Sequence, residues 1–271
     1  MYKQRREKRL NNWKDLINWR LLIWVSSALL LFVIFPIIFH QNNHAPSNSE
    51  HNQETSKIVW GVDSASKVTD ELFKCVDKYY GKPDIWARYT KTNKGASAGL
   101  TAEEMKLLHK NKVNILLIYN HFNNATTEKA GENEAKAAIQ YAKELKAPKG
   151  TVLFADIEPK YPVDADFIKG WYKIMSKSDY HPGIYGVFDP DQKIYKAFNQ
   201  AAKNNKSLKD ETILWSAAPQ KGITKKENAP KFNPSAPKNS RILGYQYGME
   251  AKSCNIDTNL FKGEILSFSW E

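Results

Sequence analysis

Short apolar segments alternate with longer amphipathic segments along most of the chain after residue 57. A short apolar run bounded by Gly or Pro predicts a buried strand, and apolar residues spaced three and four apart predict a helix. The predicted strands cover residues 58–63, 84–90, 113–119, 151–159, 182–187, 212–217, 241–247 and 255–261. The predicted helices cover residues 69–80, a segment that opens at residues 100–104, and residues 131–146, 164–176 and 192–204. Residues 219–240 show no helix pattern, and residues 264–270 suggest a final edge strand.

This order of elements predicts the fold class. Strands that alternate with helices form parallel βαβ units, and eight such strands predict a closed, TIM-like α/β barrel. With five helices, the late part of the barrel lacks some of its covering helices. A doubly wound open sheet is the alternative, but it normally carries a Gly-rich phosphate loop after its first strand. Residues 61–65, Gly-Val-Asp-Ser-Ala, do not provide that loop.

The N-terminal fifth of the chain has a different composition. Residues 21–39 form a run of 19 residues without a charged side chain, which is long enough for a helix to span a bilayer core of roughly 30 Å. Residues 1–20 are rich in Arg and Lys, whereas residues 40–56 contain neither. By the positive-inside rule, residues 1–20 form a cytoplasmic tail, 21–39 a transmembrane helix, 40–56 a flexible linker and 57–271 an extracellular barrel domain.

A cleaved signal peptide is the alternative for residues 21–39. Its apolar core usually has about 7–15 residues, fewer than here. The nearest small-residue cleavage site, Asn43-His44-Ala45, is a poor match. The retained helix is preferred and predicts a single-pass protein of the cell membrane with a cytoplasmic N-terminus.

The charge adds information about partners. The formal net charge is +11, of which residues 1–20 contribute +5 (seven Lys or Arg against two acids) and residues 40–56 contribute −2, leaving +8 for residues 57–271. A basic domain suggests an anionic neighbourhood such as nucleic acid, anionic lipid or an acidic wall polymer. The basic residues are spread out, and the sequence shows no nucleic-acid motif. Most of these lysines are therefore interpreted as solvated, and nucleic acid is not a predicted partner.

The strand at residues 151–159 is the centre of the functional interpretation. Side chains alternate along a strand, so Asp156 and Glu158 share one face with Val152 and Phe154 below them. Two residues at about 3.3 Å each place the acid Cα atoms roughly 6.6 Å apart, in the range in which a carboxylate pair flanks a glycosidic bond. The alternative is that both acids are rim residues held by Lys or Arg, since structural ion pairs also occupy such positions.

Polar and aromatic residues recur at the predicted strand ends. In a parallel barrel these ends share one face, where active sites lie. Carboxylates, aromatic rings and an amide together are typical of a sugar site. In strand order, the candidates are Asp63, Arg88, Tyr119 and His121, Asp156 and Glu158, Tyr185, Trp215, Gln246 and Asp257. Taken singly, each has a more ordinary explanation as a packing, capping or loop residue.

Several of these segments together resemble a known family. The segments are Trp60-Gly61-Val62-Asp63, residues 154–159, 182–185, 213–215 and 244–247, and residues 256–261 (Ile-Asp-Thr-Asn-Leu-Phe). In this order they resemble the DUF1906 family, a glycoside-hydrolase-like domain related to family 25 lysozymes, over about residues 58–270. The resemblance implies a flattened barrel of eight strands and five helices. It also implies a site made of Asp63, Asp156, Glu158 and Asp257.

The resemblance implies a muramidase-like glycosidase that acts on peptidoglycan. Glu158 would be the general acid. Asp156 would stay ionised and either orient the acetamido oxygen of the substrate or stabilise the oxocarbenium charge. Arg88 is a DUF1906 feature and departs from the lysozyme pattern. At the mouth of the barrel, which is the face where the strand ends meet, Arg88 would bind an anionic group or pair with Asp156.

Asp63 and Asp257 would bind hydroxyl groups of the substrate. Tyr185 and Trp215 would form sugar platforms, and Tyr119, His121 and Gln246 complete the predicted substrate-binding set.

Two other classes of function remain open. A non-catalytic module that binds cell-wall glycan or an anionic wall polymer would keep the same barrel and mouth. A polysaccharide deacetylase or other metal hydrolase needs clustered ligands, and the six histidines show no ligand spacing. No metal and no cofactor are therefore predicted.

The chain has two cysteines, Cys75 and Cys254. Cys75 lies on the first predicted helix and Cys254 just before the eighth strand, which neighbours the first strand in a closed barrel. A disulfide is geometrically possible, and two buried free thiols are the alternative.

Overall fold

A computed structural model of the protein describes residues 57–271. Within them, eight strands close into a single barrel in chain order. The strands are β1 (Ile58–Asp63), β2 (Ile85–Tyr89), β3 (Asn114–Tyr119), β4 (Val152–Asp156), β5 (His181–Gly186), β6 (Ile213–Ala217), β7 (Arg241–Gly248) and β8 (Asp257–Lys262). The α-helices of this part are α1 (Asp70–Tyr80), α2 (Ala102–Lys110), α3 (Glu128–Glu144), α4 (Ala165–Met175), α5 (Lys193–Ala202) and α6 (Lys206–Glu211). The predicted closed barrel is therefore confirmed.

The direction of β8 differs from the prediction of an all-parallel barrel. Strands β1 to β7 pair in parallel, but β8 runs antiparallel to both β7 and β1. Residues 249–256 join β7 to β8 without a helix. A parallel return needs a crossover of a dozen or more residues, so a connection this short reverses the chain. As a consequence, the first residue of β8, rather than its last, lies at the end of the barrel where β1 to β7 end.

The barrel has an inner core and an outer core. Val152 and Phe154 of β4 belong to the inner cluster, together with residues such as Ile85 and Phe261. Leu153 and Ala155 belong to the outer cluster, which the helices cover. The alternation predicted for this strand is confirmed, and it places the side of β4 that carries Asp156 toward the barrel interior.

Several predicted boundaries change in the structure. The short helix α6 is a sixth α-helix that the sequence pattern did not reveal; Asn205 caps it by accepting from the backbone N–H of Leu208 at 3.0 Å. Strand β4 ends at Asp156, so Glu158 lies beyond the strand. Thr69 caps α1, and Thr101 and Glu104 form a capping box at the start of α2.

The C-terminal segment is not the predicted edge strand. Residues Gly263–Phe268 form a 3₁₀ helix, after which Trp270 makes an isolated antiparallel bridge to Ile115 near the start of β3. Ile265 of this helix is buried in the inner core. The segment closes the end of the barrel where the parallel strands begin, because that end exposes apolar inner side chains that need cover.

A disulfide joins Cys75 on α1 to Cys254 in the β7–β8 connection, with a Cα–Cα distance of 6.0 Å. This decides between the two alternatives that the sequence left open. All eight strands, both cores and the disulfide lie within residues 57–271, so this segment has a complete core of its own and can be tested as an isolated domain.

The described part of the chain includes no helix both long and apolar enough to cross a membrane. The predicted tail, transmembrane helix and linker, residues 1–56, lie outside the described residues.

Candidate active site

Four acids lie at the end of the barrel where the parallel strands finish. Asp63 is the last residue of β1 and Asp156 the last residue of β4, while Asp257 is the first residue of the reversed strand β8. Glu158 follows β4 by two residues. Asp63, Asp156 and Glu158 are only 6%, 3% and 7% exposed. Buried acids are costly unless the protein or a ligand holds them, which marks this end of the barrel as the candidate site.

Asp63 and Asp257 are brought together by the β1–β8 pairing, in which they are direct register partners. The side-chain amide of Gln246 on β7 donates to Asp63 Oδ2 at 3.0 Å and reaches Asp257 Oδ2 at 3.4 Å. The other oxygen of Asp257 accepts from the backbone N–H of Glu250 at 2.6 Å. Gln246 is buried and links the two acids.

The orientation of Gln246 is set by Tyr185 on β5. The Tyr185 hydroxyl donates to Gln246 Oε1 at 2.7 Å, so the amide nitrogen is turned toward the acids. Tyr185 is also the register partner of Asp156 on β4. Its side chain is partly exposed, consistent with its predicted position at the mouth.

Asn259 is a site residue that the sequence interpretation missed. Its amide nitrogen donates to Asp63 Oδ2 at 2.8 Å, and its oxygen accepts from the Trp215 indole N–H at 3.0 Å. Asn259 stands two residues after Asp257 on β8 and therefore shares its face. That spacing is a signal that could have identified it.

Trp215 lies below the mouth rather than in it. Its side chain is fully buried, with its ring against those of Phe154, Tyr185 and Phe261 at centroid distances of 5.4, 5.0 and 5.4 Å. A ring with no exposed surface cannot stack on a sugar, so the prediction of Trp215 as a sugar platform is wrong. Trp215 instead forms the floor of the site and holds Asn259.

A register shift in β7 adapts the barrel to this large ring. The pairing of β6 with β7 shifts between Leu214 and Trp215, which places Gly244 opposite Trp215. A Cβ atom at Gly244 would lie 2.7 Å from the Trp215 ring. Bulges of this kind commonly re-aim side chains next to active sites, and here the residue two positions further along β7 is Gln246.

Arg88 does not enter the mouth, and its predicted role as a substrate-binding residue is wrong. It lies on the outer face of β2, fully buried, where its Nε pairs with Glu104 of α2 at 2.8 Å. Its guanidinium also donates to the backbone oxygens of Ser64 and of Ala98, the latter at 3.1 Å. Glu104 in turn accepts from the backbone N–H of Val68 at 2.8 Å. Arg88 thereby holds the two loops that follow β1 and β2.

Tyr119 and His121 belong to an aromatic cluster on the outer side of the barrel, which contradicts their predicted place in the mouth. Tyr119 is buried in the outer core, and its hydroxyl donates to Glu134 of α3 at 2.5 Å. Burial and this hydrogen bond hold the pKa of Tyr119 above its usual range. The His121 ring packs between Tyr119 and Tyr141, with centroid distances of 5.7 and 5.2 Å.

No group of three or more His, Cys, Asp or Glu residues in the described part of the chain has the geometry of a metal site. The chemistry that these residues can perform is that of carboxylates and amides: proton transfer, charge stabilisation and hydrogen bonding to hydroxyl groups.

A closed barrel with acids gathered at the carboxyl end of its strands is compatible with a glycoside hydrolase-like domain. The chain belongs to the Rv2525c-like family of glycoside hydrolase-like domains, whose family model matches residues 78–261. The resemblance to the DUF1906 family is thereby confirmed. No curated protein sequence matches the chain significantly.

Solved structures show the same fold. An uncharacterized protein of B. stearothermophilus is 37% identical, with a TM-score of 0.76 over 78% of this chain and 100% of that chain. The Mycobacterium tuberculosis Tat-secreted protein Rv2525c, crystallised with HEPES, is 14% identical, with a TM-score of 0.52 over 79% of this chain and 99% of that one. The Clostridium perfringens spore cortex lytic enzyme SleM is 12% identical, with a TM-score of 0.53 over 78% of this chain and 69% of that chain.

Proposed function

We propose that residues 57–271 are a glycosidase that cleaves the polysaccharide of the bacterial cell wall, with a muramidase-type reaction on peptidoglycan. The observation that carries the proposal is the meeting of Asp63 and Asp257 across one strand pair, with Asp156 and Glu158 at the end of β4. Glycoside hydrolysis uses two acids around an oxocarbenium-like transition state. The fold is shared with SleM, which is named a spore cortex lytic enzyme.

In this mechanism Glu158 protonates the oxygen of the leaving sugar. Asp156 is the last inward residue of β4 and lies beside Tyr185. It stays ionised, and it orients the acetamido oxygen of the substrate or stabilises the positive charge that develops on the reacting ring. Both routes require a carboxylate that is held in a fixed position below the anomeric carbon.

Asp63 and Asp257 support the reacting pair. Asp63 accepts from two buried amide nitrogens, those of Gln246 and Asn259. Hydrogen bonds to an ionised acceptor are stronger than bonds between neutral groups, so Asp63 fixes the amide of Gln246 in place. Asp257 and the Tyr185 hydroxyl then offer polar atoms to the hydroxyl groups of a sugar.

We also propose that the protein lies at the cell surface. Residues 21–39 would anchor it in the membrane, and residues 40–56 would tether the barrel on the outer side. Seventeen extended residues at about 3.5 Å each reach roughly 60 Å from the membrane, which allows the barrel to work on wall polymer. Protease treatment of intact cells should release the barrel if it is outside; protection in intact cells together with digestion in lysed cells would place it inside.

Product analysis tests the activity. The isolated domain should release reducing sugar from purified peptidoglycan, and mass spectrometry of the products should show which glycosidic bond is cleaved. Glu158→Gln should lower the rate by roughly 10²–10⁴-fold, the usual contribution of a general acid. Glu103→Gln, which neutralises an exposed acid on α2, is the matched control and should leave the rate unchanged.

Two outcomes would contradict the proposed reaction. A wild-type rate for Glu158→Gln would remove Glu158 as the general acid. Binding of the wild-type domain to the polymer without release of sugar would make the domain a non-catalytic glycan-binding module, which the same fold can support.

A further inference from the structure

Two loops beside the acids are joined into one wall. They are residues 120–127 between β3 and α3, and residues 157–164 between β4 and α4; we call them together the rim wall. The backbone N–H of Ala125 donates to Pro162 O at 2.8 Å, and that of Asp164 donates to Ala125 O at 3.0 Å. The Asp164 carboxylate also accepts from the backbone N–H of Thr127 at 3.1 Å. Loops cross-linked in this way hold their side chains in fixed positions.

The helices behind the rim wall restrain it further. Gly131 in the first turn of α3 faces α4 so closely that a Cβ atom there would lie 2.1 Å from the backbone oxygen of Phe167. Asp164, which joins the two loops, also caps α4 by accepting from the N–H of Phe167 at 2.8 Å. The rim wall is therefore a continuation of the α3–α4 pair and not an independent flexible loop.

Glu158 is itself part of the rim wall. The backbone N–H of Tyr161 donates to Glu158 O at 2.9 Å, which closes a four-residue β-turn with Pro159 at its second position. Proline favours this position because its φ angle is already suitable. The Cα atoms at the two ends of a β-turn lie within about 7 Å. Lys160 and Tyr161 are thus held next to the proposed general acid by the backbone.

The side chains of this turn form a surface with both aromatic and cationic character. The Tyr161 ring meets the Phe122 ring edge-on at a centroid distance of 6.1 Å, and both rings are partly exposed. Phe122 belongs to the outer aromatic cluster, since its ring also packs against Tyr119 at 5.9 Å and Phe167 at 5.3 Å. It therefore holds the Tyr161 ring in place. The ammonium of Lys160, an exposed residue, lies 5.6 Å from the centre of the Tyr161 ring.

The charges around the mouth determine where a negatively charged group of a ligand can bind. Asp63, Asp156, Glu158 and Asp257 make the centre of the site acidic, so a negative group on the substrate is disfavoured there. Lys160 brings a positive charge to the adjacent turn. The nearby Lys91 is already engaged, since its ammonium lies 4.1 Å from the Tyr141 ring centre and pairs with Glu144 at 3.4 Å.

We propose that Lys160 and Tyr161, with the Tyr161 ring supported by Phe122, form a sugar subsite that selects glycans bearing a carboxylate substituent. The inference rests on the proposed function, because it takes Glu158 as the residue beside the bond that is cleaved. The Tyr161 ring stacks on the sugar that neighbours this bond, and Lys160 pairs with the carboxylate of that sugar. The positive charge in the turn and the acids in the centre then fix the direction in which the polymer lies across the mouth.

Affinity measurements on the isolated domain test the proposal without depending on turnover. The probe is a soluble oligosaccharide of the peptidoglycan glycan from which the stem peptides have been removed, so that alternate sugars carry a free carboxylate. Its control is the same oligosaccharide after conversion of the carboxylates to methylamides. The wild-type domain should bind the carboxylate form more tightly, and this preference should shrink in 0.5 M salt because exposed charges are screened there.

Two variants test which side chains are responsible for the preference for the carboxylate form. Lys160→Gln should weaken binding of the carboxylate form by roughly fivefold, the scale of an exposed ion pair, and leave binding of the methylamide form unchanged. Tyr161→Ala should weaken binding of both forms. Lys149→Gln is the matched control: Lys149 is an exposed lysine just before β4, at the opposite end of the barrel, and its loss should alter neither affinity.

Equal affinity of the wild-type domain for the two oligosaccharides would overturn the proposal, as would a Lys160→Gln variant that keeps the wild-type preference. The proposed hydrolysis can be contradicted independently of the subsite. If the domain prefers the carboxylate form through Lys160 but releases no reducing sugar, the subsite is supported and only the enzymatic function is contradicted.

Discussion

Asp63 and Asp257 face each other as register partners on β1 and β8, although they lie near opposite ends of the domain sequence. This relationship exists because β8 is antiparallel to β1, so that the start of β8 meets the end of β1. The amide of Gln246 then lies within reach of both carboxylates. The candidate site is therefore built on the closure of the barrel.

Gln246→Leu should destabilise the domain and impair the site together. The substitution removes the buried amide that donates to Asp63 and accepts from Tyr185. Leaving a buried hydrogen-bonding group without its partner costs about 1–3 kcal/mol, which urea unfolding would measure. The rate of sugar release should fall as well. Gln220→Leu, at an exposed glutamine, is the control and should change neither quantity. An unaltered unfolding free energy for Gln246→Leu would show that this network does not support the site.

Arg88 and Glu104 should behave as a coupled pair in a double-mutant cycle. Both side chains are fully buried, so Arg88→Met alone leaves a buried carboxylate without its guanidinium, which costs about 3–5 kcal/mol. Arg88→Met with Glu104→Leu should recover much of that loss. In contrast, Lys206→Gln at the exposed Lys206–Asp210 pair should cost less than about 1 kcal/mol. Additive losses for the two buried substitutions would refute the coupling.

The disulfide should contribute strongly to stability. Cys75 and Cys254 are separated by 179 residues in sequence, and cross-links that close long loops stabilise by about 2–5 kcal/mol. The double variant Cys75→Ser with Cys254→Ser should lose this amount in urea unfolding, and dithiothreitol should lower the stability of the wild-type domain but not of the variant. Peptide mapping without reductant checks that the bond is present. Equal stability with and without reductant would contradict a stabilising role.

His181 should make stability dependent on pH in the mildly acidic range. Burial against Phe268, and to a lesser extent the charge of Arg241, lower the pKa of His181 from its ordinary value of 6.5. The unfolded state then binds more protons than the folded state as the pH falls through this range, so the stability contributed by neutral His181 is complete above pH 6.5 and is lost below it.

Unfolding curves at several pH values check the prediction for His181. The wild-type domain should lose more stability between pH 7.5 and 5 than His181→Gln does, because the variant has no imidazole to protonate. Both proteins share the same carboxylates, so their difference isolates the histidine. Parallel pH profiles for the two proteins would show that His181 does not contribute.

Much of the fold was determined by the sequence alone. The alternation of short apolar runs with amphipathic helices predicted eight strands, and the period of two in residues 152–156 placed Val152 and Phe154 inside the barrel. These features depend on local periodicity and on the burial of apolar surface, which are properties of neighbouring residues. Asp63, Asp156 and Glu158 could be selected for the same reason, since each interrupts or ends an apolar run, whereas Asp257 lies among polar residues at the start of its strand.

The tertiary structure decided which strand-end side chains reach the site. Both faces of β2 and β3 are buried, one in the inner core and one against the helices, so sequence periodicity could not tell that Arg88 and Tyr119 face outward. Trp215 does face inward, but the stagger of the strands places it below the mouth. The direction of β8, and with it the meeting of Asp63 and Asp257, follows from a short connection and from barrel closure. Such contacts between distant segments depend on how the sheet closes, and no single segment of the chain contains that information.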